Sequence, residues 1–300
     1  MPMCVTYGAS MAARQQVIDL HTHSCCSDGT QSPADLVRTA AQAGVDVVAV
    51  TDHDVTTGWD EAGKQGEELG VRVVPGIELS CQAGGISVHL LAYLPDPQHS
   101  DLATMLQRVR QQRNTRLRTM VQRLAEDDYP VDYDEIVAHS GAGATLGRPH
   151  VADALVRAGV YPDRDAAFAE VLHGRSRYYV RHWAPDGLDA VRTVRAAGGV
   201  PVMAHPFASA RGRTVSEGVI QEMAHAGMLG LEVDHRDHTD ADRARGAGLC
   251  DRWGLIPTGS SDYHGTGKPN RIAEHTTSPE SLERIVAVGT GTQMRGASLP

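Results

Sequence analysis

Two histidines separated by one residue, His21 and His23, are the first side chains in the sequence that could hold a metal ion. They follow a short apolar segment, residues 17–20, that has the composition of a buried strand. Side chains two residues apart point to the same face of a strand, so both imidazoles would lie together at its carboxyl end. The chain has 15 histidines in 300 residues, and roughly 0.7 such triplets are expected by chance. The triplet alone therefore does not distinguish a metal site from two surface histidines.

Histidines and carboxylates recur where other apolar segments end. Asp28 lies in a Ser-Asp-Gly-Thr turn, and His53 and Glu78 each follow a short segment rich in β-branched residues. His205 follows another such segment within the motif Ala-His-Pro. Imidazole and carboxylate groups are the usual protein ligands of divalent transition-metal ions. Active sites of α/β barrels form at the carboxyl ends of the strands, so these side chains are predicted to converge.

Three more candidate ligands complete the set. Asp262 and His264 are again two residues apart and follow an apolar segment. His89 instead lies near the start of the segment 86–94. The interval between Glu78 and His89 is too short for a helical crossover, so this segment should return as the antiparallel strand of a hairpin, turning at Ala-Gly-Gly. That arrangement places His89 at the same edge as the other ligands.

Six histidines and three carboxylates are too many ligands for one four-coordinate ion, and they predict two or three divalent ions that share a carboxylate. Two ions about 4 Å apart can share a water and lower its pKa from about 15.7 to about 7. The resulting metal-bridged hydroxide could attack the phosphorus of a phosphate ester in line. The alternative is a set of polar groups at strand ends that binds no metal.

Apolar segments alternate with amphipathic helical patterns along most of the chain. Strands are predicted at residues 17–20, 45–50, 71–74, 86–94, 200–204, 229–233 and 255–257. Helices are predicted at residues 33–43, 58–69, 186–197, 216–226, 240–253 and 279–288. Strands that alternate with helices form a parallel sheet with crossover helices, so we predict a barrel-like α/β domain.

The stretch 96–184 interrupts this alternation, with helical patterns at 102–125, 149–158 and 165–172. We interpret it as a helical insertion that caps the substrate site. The predicted domain limits are a barrel domain at residues 17–95 and 185–300, the helical insertion at 96–184 and an N-terminal extension at 1–16. The extension lacks the continuous apolar core of a signal peptide.

The composition argues against several classes of protein. A net charge of −9 repels polyanions, so no stable DNA binding is expected, and bound cations would have to attract a phosphate substrate. The sequence has no apolar run long enough to span a membrane. Its five cysteines include no Cys-x-x-Cys pair and leave one over, which argues against a disulfide framework and favours a reducing cytoplasm.

Taken in order, the motifs resemble those of the PHP (polymerase and histidinol phosphatase) family. They are His-x-His, Asp-Gly, Thr-Asp-His-Asp, Gly-x-Glu, a later His, Ala-His-Pro and Ser-Asp-x-His. The sequence is most similar to the branch that contains nucleoside 3′,5′-bisphosphate phosphatases and 5′-to-3′ exoribonucleases. The resemblance implies a distorted (β/α)7 TIM-like barrel with a helical insertion. It also implies two to three divalent ions, with Mn²⁺ expected and Fe²⁺ or Zn²⁺ as alternatives.

The resemblance further implies how the ligands are shared among three ions. The first ion would be held by His21, His23, Glu78 and Asp262. Glu78 would bridge to a second ion, held also by His89 and His205. The third ion would be held by Asp28, His53 and His264.

Four residues outside the ligand set are candidates for contacts with the substrate. Arg148 begins a predicted helix in the motif Gly-Arg-Pro-His, where its guanidinium could clamp a phosphate. His150, His235 and His238 could each donate a proton to the leaving group. We assign His150 and His238 to catalysis, and Arg148 and His235 to substrate binding. The alternatives are a solvated helix start and surface loop histidines.

Three neighbouring features have simpler interpretations. Cys25 and Cys26 lie between two proposed ligands, where thiolates could bind a soft metal, but we interpret them as bystanders. Asp52 either orients an imidazole or closes a strand-end turn. The arginines between residues 108 and 118 are predicted to form the solvated face of an amphipathic helix, with RNA contact as the alternative.

The predicted function is hydrolysis of a phosphate monoester, in nucleoside 3′,5′-bisphosphates or at short RNA ends, by a metal-dependent cytoplasmic enzyme. The partner would be a small phosphorylated substrate, a nucleotide or a short RNA, without a membrane. A histidinol-phosphate-type phosphatase is an alternative within the same family. An amidohydrolase-like enzyme that cleaves C–N or ester bonds would use the same metal chemistry. A metal-binding module without activity is the remaining alternative.

Overall fold

The computed structural model describes residues 14–181 and 183–298, and shows a central sheet that curls into a nearly closed barrel. The predicted α/β fold class is thereby confirmed. The predicted N-terminal extension at residues 1–16 lies mostly outside the described residues. Among the helices of the described ranges, none is long and apolar enough to cross a bilayer.

Seven strands follow one another around the barrel in chain order. They are β1 (Ile18–Asp19), β2 (Val47–Val50), β3 (Arg72–Ala83), β4 (Ile86–Tyr93), β5 (Val200–Met203), β6 (Gly230–Asp234) and β7 (Ile256–Gly259). Neighbours are parallel except β4, which is antiparallel to both β3 and β5, as the predicted hairpin requires. A short strand, β8 (Arg295–Gly296), pairs with β3. A backbone bridge between Thr22 and Tyr263 joins the first and last parts of the sheet.

The helices of the barrel agree with the predicted ones to within one or two residues. They are α1 (Pro33–Gln42), α2 (Trp59–Leu69), α7 (Gly187–Ala196), α8 (Glu217–His225), α9 (Asp240–Trp253) and α10 (Pro279–Val288). Their ends follow from local sequence. Ser32 caps α1 by accepting a hydrogen bond from the Asp35 N–H, and Gly254 ends α9 in the left-handed conformation, with φ +67°.

The strands are buried on both faces, which explains their continuous apolar sequences. In β2, Val47 and Ala49 point into the barrel, whereas Val48 and Val50 pack against the surrounding helices. Tyr93 fills the barrel interior, and its hydroxyl donates to the Leu20 carbonyl oxygen at 2.9 Å. The barrel is therefore a packed core, and only its rim is free to carry polar side chains.

Residues between β4 and α7 contain a separate hydrophobic cluster. Its helices are α3 (Ser100–Ala125), α4 (Tyr133–Ala138), α5 (Arg148–Arg157) and α6 (Arg164–Ala167), and α6 continues into a π-helical turn at Phe168–Leu172. Sequence patterns missed α4 because it has six residues and a single buried one, Ile136. The division of the chain into barrel and insertion stays a prediction.

The prediction of a solvated arginine face on α3 is wrong for two of its members. Arg113 and Arg116 are each only 7% exposed. Arg113 Nε lies 2.8 Å from a carboxylate oxygen of Asp54, on the barrel. Arg108 is exposed to solvent, and its guanidinium lies 3.6 Å from the ring centre of Trp183. The helix therefore docks part of its charged side against the barrel, which a charge pattern alone does not reveal.

Strand β3 also differs from prediction. The predicted strand ended at residue 74, before Glu78, but β3 continues for 12 residues through Glu78 to Ala83. Pairing with β4 extends over the last eight residues of β3, from Gly76 to Ala83, and supplies the hydrogen bonds for this extension. Glu78 therefore projects from the middle of a paired strand, where its backbone is held on both sides.

Candidate metal centre

The nine predicted ligands come together at one end of the barrel. Seven of them are buried, and His89 and His205 are partly buried. Three groups of these side chains place nitrogen or carboxylate oxygen atoms within 4.8 Å of one another. The arrangement agrees with the predicted convergence of strand ends, although the binding of metal by each residue stays a prediction.

The first group consists of His21, His23, Glu78 and Asp262. The Nε2 atoms of His21 and His23 are 3.1 Å apart, and Glu78 Oε2 lies 3.2 and 3.0 Å from them. Asp262 Oδ1 lies 3.5 and 3.4 Å from the same two nitrogens. These distances match the predicted ligand set of the first ion.

Glu232, which the sequence interpretation overlooked, orients this group. Its Oε1 lies 3.1 Å from His21 Nδ1, and its Oε2 accepts a hydrogen bond from the His205 N–H at 2.7 Å. A hydrogen on His21 Nδ1 leaves the Nε2 lone pair directed at His23 and Glu78, as metal coordination requires. The sequence did contain a signal for this role, because an acidic residue inside an apolar strand such as β6 is unusual.

The two oxygens of Glu78 face different histidines. On one side, Oε1 lies 2.6 Å from His89 Nδ1 and 3.0 Å from His205 Nε2. On the other side, Oε2 faces the first group and also lies 3.3 Å from His53 Nδ1. Burial alone would raise the pKa of Glu78, but His89, His53 and His21 hold it well below its ordinary value. This geometry is what a carboxylate that bridges two ions requires.

The third group contains His23, Asp28 and His264. His264 donates its Nδ1 hydrogen to the Asp262 carbonyl oxygen at 2.7 Å, so its Nε2 carries a lone pair. That lone pair faces Asp28 Oδ1 at 3.3 Å, and the buried Nε2 has no hydrogen-bond partner among the described residues. Two acceptors cannot bond each other without a cation between them. The donor set therefore fits a metal ion.

His53 belongs to the remaining group, with Glu78 and His89. Its Nδ1 is near Glu78, and its Nε2 is 3.8 Å from Asp28 Oδ2. The resemblance to PHP proteins implied that His53 serves the third ion, whereas the geometry groups it with Glu78 and His89 of the predicted second set. Its assignment to the third ion stays a prediction.

The electrostatics of the first group favour positive charge. Burial disfavours an imidazolium, but hydrogen bonds to Asp262 and Glu78 raise the pKa of His23 to about 9. Burial likewise disfavours a charged His21, yet Glu78, Glu232 and Asp262 raise its pKa well above the ordinary value. A bound divalent cation would supply the same compensation for these carboxylates, with both imidazoles neutral.

Strained backbone positions carry several of these groups. Asp54, His205 and Asp262 have positive φ angles of 54°, 30° and 52°, and such conformations cost about 1–3 kcal/mol each. Side-chain hydrogen bonds hold them. Asp54 accepts hydrogen bonds from the Ser80 N–H and hydroxyl at 2.8 and 2.9 Å. Asp19 accepts from the N–H and hydroxyl of Ser261, immediately before Asp262, at 3.1 and 2.6 Å.

Asp52 supports the site indirectly. Its carboxylate accepts hydrogen bonds from Ser24 and from the Ser27 hydroxyl at 2.6 Å, and that hydroxyl lies 3.4 Å from His23 Nδ1. Asp52 therefore both closes the turn at the strand end and helps to orient the His23 imidazole through Ser27. Burial raises the pKa of the neighbouring Cys25 and Cys26 thiols, which disfavours the thiolate form that binds metals.

Of the predicted substrate and catalytic residues, His235 lies nearest the ligands. Its Nε2 is 3.8 Å from Asp262 Oδ2, and its ring centre is 5.5 Å from that of His205. Arg148 lies in the insertion, where Nη1 donates to the Leu172 carbonyl oxygen at 2.9 Å and the guanidinium lies near the rings of Phe168 and Tyr179. His150 is buried near Asp28, whose charge affects its pKa.

The contacts of the two predicted catalytic histidines do not favour proton donation. His238 Nδ1 donates to the Val233 carbonyl oxygen at 2.9 Å, and its Nε2 accepts from the Phe207 N–H at 3.2 Å. His150 Nδ1 accepts from the Gly147 N–H at 3.1 Å and closes the first turn of α5. Burial lowers the pKa of both imidazoles, so they are neutral near pH 7. These contacts favour structural roles.

Comparison with known proteins agrees with this geometry. The PHP domain model matches residues 19–171. A 3′,5′-nucleoside bisphosphate phosphatase of Chromobacterium violaceum is 33% identical, with 86% of this chain and 91% of the relative covered. The chain belongs to the PHP domain family. Membership of this family confirms the predicted class, a metal-dependent phosphoesterase.

Two further proteins are similar to this chain. A phosphoribosyl 1,2-cyclic phosphate 1,2-diphosphodiesterase of Eggerthella lenta is 36% identical, with 82% of this chain and 94% of the relative covered. A solved structure from Bifidobacterium adolescentis, described as a candidate metal-dependent phosphoesterase, is 39% identical with a TM-score of 0.89. The match covers 92% of this chain and 97% of the Bifidobacterium adolescentis chain.

The position of Glu232 leads to a first prediction. Glu232→Gln keeps the volume but removes the charge that orients His21, so Mn²⁺ affinity should fall about tenfold, as is usual for a residue that orients a ligand. Metal titration followed by calorimetry measures this change. Glu222→Gln, on the exposed face of α8, is the matched control and should bind metal normally. Unchanged affinity in Glu232→Gln would show that Glu232 does not orient the site.

Proposed function

We propose that this metal-dependent phosphoesterase hydrolyses a phosphate monoester of nucleoside 3′,5′-bisphosphates. The observation that carries the proposal is the placement of Glu78, whose two oxygens face separate groups of histidines at 2.6–3.3 Å. That geometry suits a cluster of ions, and clusters of ions suit phosphoryl transfer. The relative from Chromobacterium violaceum, with its named activity on 3′,5′-nucleoside bisphosphates, supports the substrate class.

The proposed ligands of the first ion are His21, His23, Glu78 and Asp262, and those of the second are Glu78, His89 and His205. Asp28, His53 and His264 are proposed for the third. Imidazole and carboxylate donors suit Mn²⁺, with Fe²⁺ or Zn²⁺ as the alternatives. When bound, such ions activate water at neutral pH and neutralise charge that develops on the phosphate oxygens.

The residues around the ligands would position the substrate. We assign His235 to substrate binding, because its Nδ1 accepts from the Asp237 N–H at 3.1 Å and its hydrogen is therefore on Nε2, towards the centre. We assign Arg148 to the phosphate that is not cleaved. Residues 96–184 would cap the site, since Arg113 joins this insertion to Asp54 on the rim.

A cyclic phosphodiester is the second candidate substrate, favoured by the 36% identity with the Eggerthella lenta enzyme. Both substrate classes need the same metal chemistry, so the ligand geometry does not separate them. Each of them carries two phosphate groups, because a phosphoribosyl 1,2-cyclic phosphate has one on the ribosyl group besides the cyclic one. A clamp at Arg148 would therefore recognise either substrate. The two substrates differ in the bond that is cleaved, a monoester in the bisphosphate and a cyclic diester in the other, so comparing the two esters as substrates separates them.

The test is phosphate release by the Mn²⁺-loaded protein from a panel of esters. The panel contains an adenosine 3′,5′-bisphosphate, a phosphoribosyl 1,2-cyclic phosphate, histidinol phosphate, a short RNA with a 5′-phosphate and p-nitrophenyl phosphate. An amide and a lactone test the amidohydrolase alternative. We expect the largest kcat/KM for the bisphosphate. A larger value for the cyclic ester, or cleavage of the amide or lactone alone, would contradict the proposal.

The ligand groups also predict the metal content. Nine ligands are available where one ion needs about four, so the protein should bind two to three Mn²⁺ ions per chain. Elemental analysis after Mn²⁺ loading and desalting measures this stoichiometry. A value of one ion or fewer would contradict the three groups.

A further inference from the structure

The two oxygens of Asp262 face different environments. Oδ1 faces His21 and His23, in the first ligand group. Oδ2 faces away from them and receives two cations, with Arg211 Nη2 at 2.7 Å and Lys268 Nζ at 3.1 Å. Burial alone would raise the pKa of Asp262, but Lys268 and Arg211 hold it well below its ordinary value.

The two cations that share Oδ2 differ in their other partners. Arg211 has a second carboxylate partner, Asp237, whose Oδ2 lies 2.6 Å from Nε. In the part of the chain that the structure describes, Asp262 is the one hydrogen-bond partner of the Lys268 ammonium. An ammonium has three hydrogens, so two stay available. A metal ion on Oδ1 would draw on the same negative charge and leave the cations less neutralised.

A buried donor points to the same place. His235 is fully buried, and its Nε2 has no hydrogen-bond partner among residues 14–181 and 183–298. Its Nδ1 accepts from the Asp237 N–H, so the orphaned Nε2 carries the hydrogen. A buried donor without an acceptor is destabilising, and a ligand oxygen would remove that cost. Asp262 Oδ2, at 3.8 Å, is too far for a hydrogen bond, so an acceptor atom of a ligand beside Oδ2 would complete the bonding of His235.

The residue type at position 268 is informative in itself. Lys268 is one of 2 lysines in the chain, against 26 arginines. The other, Lys64, is exposed on α2. An ammonium is a compact point charge, whereas a guanidinium is larger and planar. Lys268 lies next to the metal centre with its side chain 30% exposed, so a ligand could reach this compact charge.

We propose that Lys268, Arg211 and His235 Nε2 form a phosphoryl-binding site beside Asp262, and that they hold an oxygen of the phosphate group that is cleaved. The site rests on the proposed function, because it adds side-chain donors to the same centre. Lys268 supplies an ammonium that shares Asp262 Oδ2 with Arg211 and keeps two hydrogens available, Arg211 a second charge fixed by Asp237, and His235 a neutral donor. Phosphate oxygens accept hydrogen bonds, which matches these three donors. The carboxylates of Asp262 and Asp237 lie beside them and are held by the two cations.

The test uses inorganic phosphate as the probe and calorimetry on the Mn²⁺-loaded protein. Lys268→Met removes the charge and keeps the length of the side chain, so phosphate binding should weaken about 10- to 30-fold, the effect of one charge-assisted hydrogen bond. Mn²⁺ content and thermal unfolding should match the wild type. Lys64→Met, the matched control, should bind phosphate normally.

Two results would overturn this site. One is normal phosphate affinity in Lys268→Met. The other is a parallel loss of Mn²⁺, which would make Lys268 only a support for Asp262. Should Lys268→Met fail to fold, Lys268→Gln is measured by the same criteria. Ester hydrolysis by the wild type is measured separately, so a protein that binds phosphate through Lys268 yet hydrolyses no ester would contradict the proposed function alone.

Discussion

Glu78→Gln should lower turnover of the preferred phosphate ester by about a thousandfold, or roughly 4 kcal/mol, and should lower bound Mn²⁺ at the same time. The change keeps the volume of the side chain and removes the negative charge that faces two groups of histidines. With the charge gone, the ions would lose the carboxylate that they share. Metal analysis and steady-state kinetics on the same preparation measure both effects.

The matched control is Glu67→Gln, the same substitution on the exposed surface of α2. It should leave metal content and turnover unchanged. A Glu78→Gln protein with normal metal content and a normal rate would refute the bridging role. Normal metal content with a low rate would instead place Glu78 in the chemistry of the reaction without a role in holding the ions together.

Arg148→Ala should lower kcat/KM for a nucleoside 3′,5′-bisphosphate by about 30- to 150-fold, or roughly 2–3 kcal/mol, and should hardly affect p-nitrophenyl phosphate. The physical reason is a concentration of buried cations. Burial together with the charges of Arg113 and Arg148 lowers the pKa of Arg116 to about 9. Asp54 neutralises Arg113 within this group. An anionic group of the substrate would relieve the repulsion among the three arginines.

Parallel kinetics on the two substrates decide the role of Arg148. Equal losses on both would place it at the reacting phosphate or in the fold, because the structure also gives it a hydrogen bond to the Leu172 carbonyl oxygen. Arg108→Ala is the matched control, since Arg108 lies in the same insertion and also contacts an aromatic ring. It should leave both substrates unaffected.

Several features of the site were predictable because they depend on short-range patterns. The pairs His21 and His23, and Asp262 and His264, share a face because strand geometry repeats every two residues. Their convergence followed from the general rule that strand ends in α/β barrels meet at one rim. The hairpin that carries His89 followed from the short interval after Glu78. These rules need only sequence spacing.

Other features depend on residues far apart in the chain and became visible only in the tertiary structure. Glu232 is 211 positions from His21, with which it shares a hydrogen bond. Arg113 is buried because Asp54, on a different element, neutralises it. Lys268 and Arg211 meet at Asp262 from separate loops. No local pattern marks such partners.

The sequence by itself determined the fold class, the family and the set of metal-binding candidates, because each depends on residue type and local spacing. The tertiary structure decided which oxygen of Glu78 and of Asp262 faces which partner, where β3 ends, and which cations are buried. These outcomes depend on distances between atoms brought together from different elements. Electrostatic interactions and hydrogen bonds change over a few tenths of an ångström, a precision that only the packed chain defines.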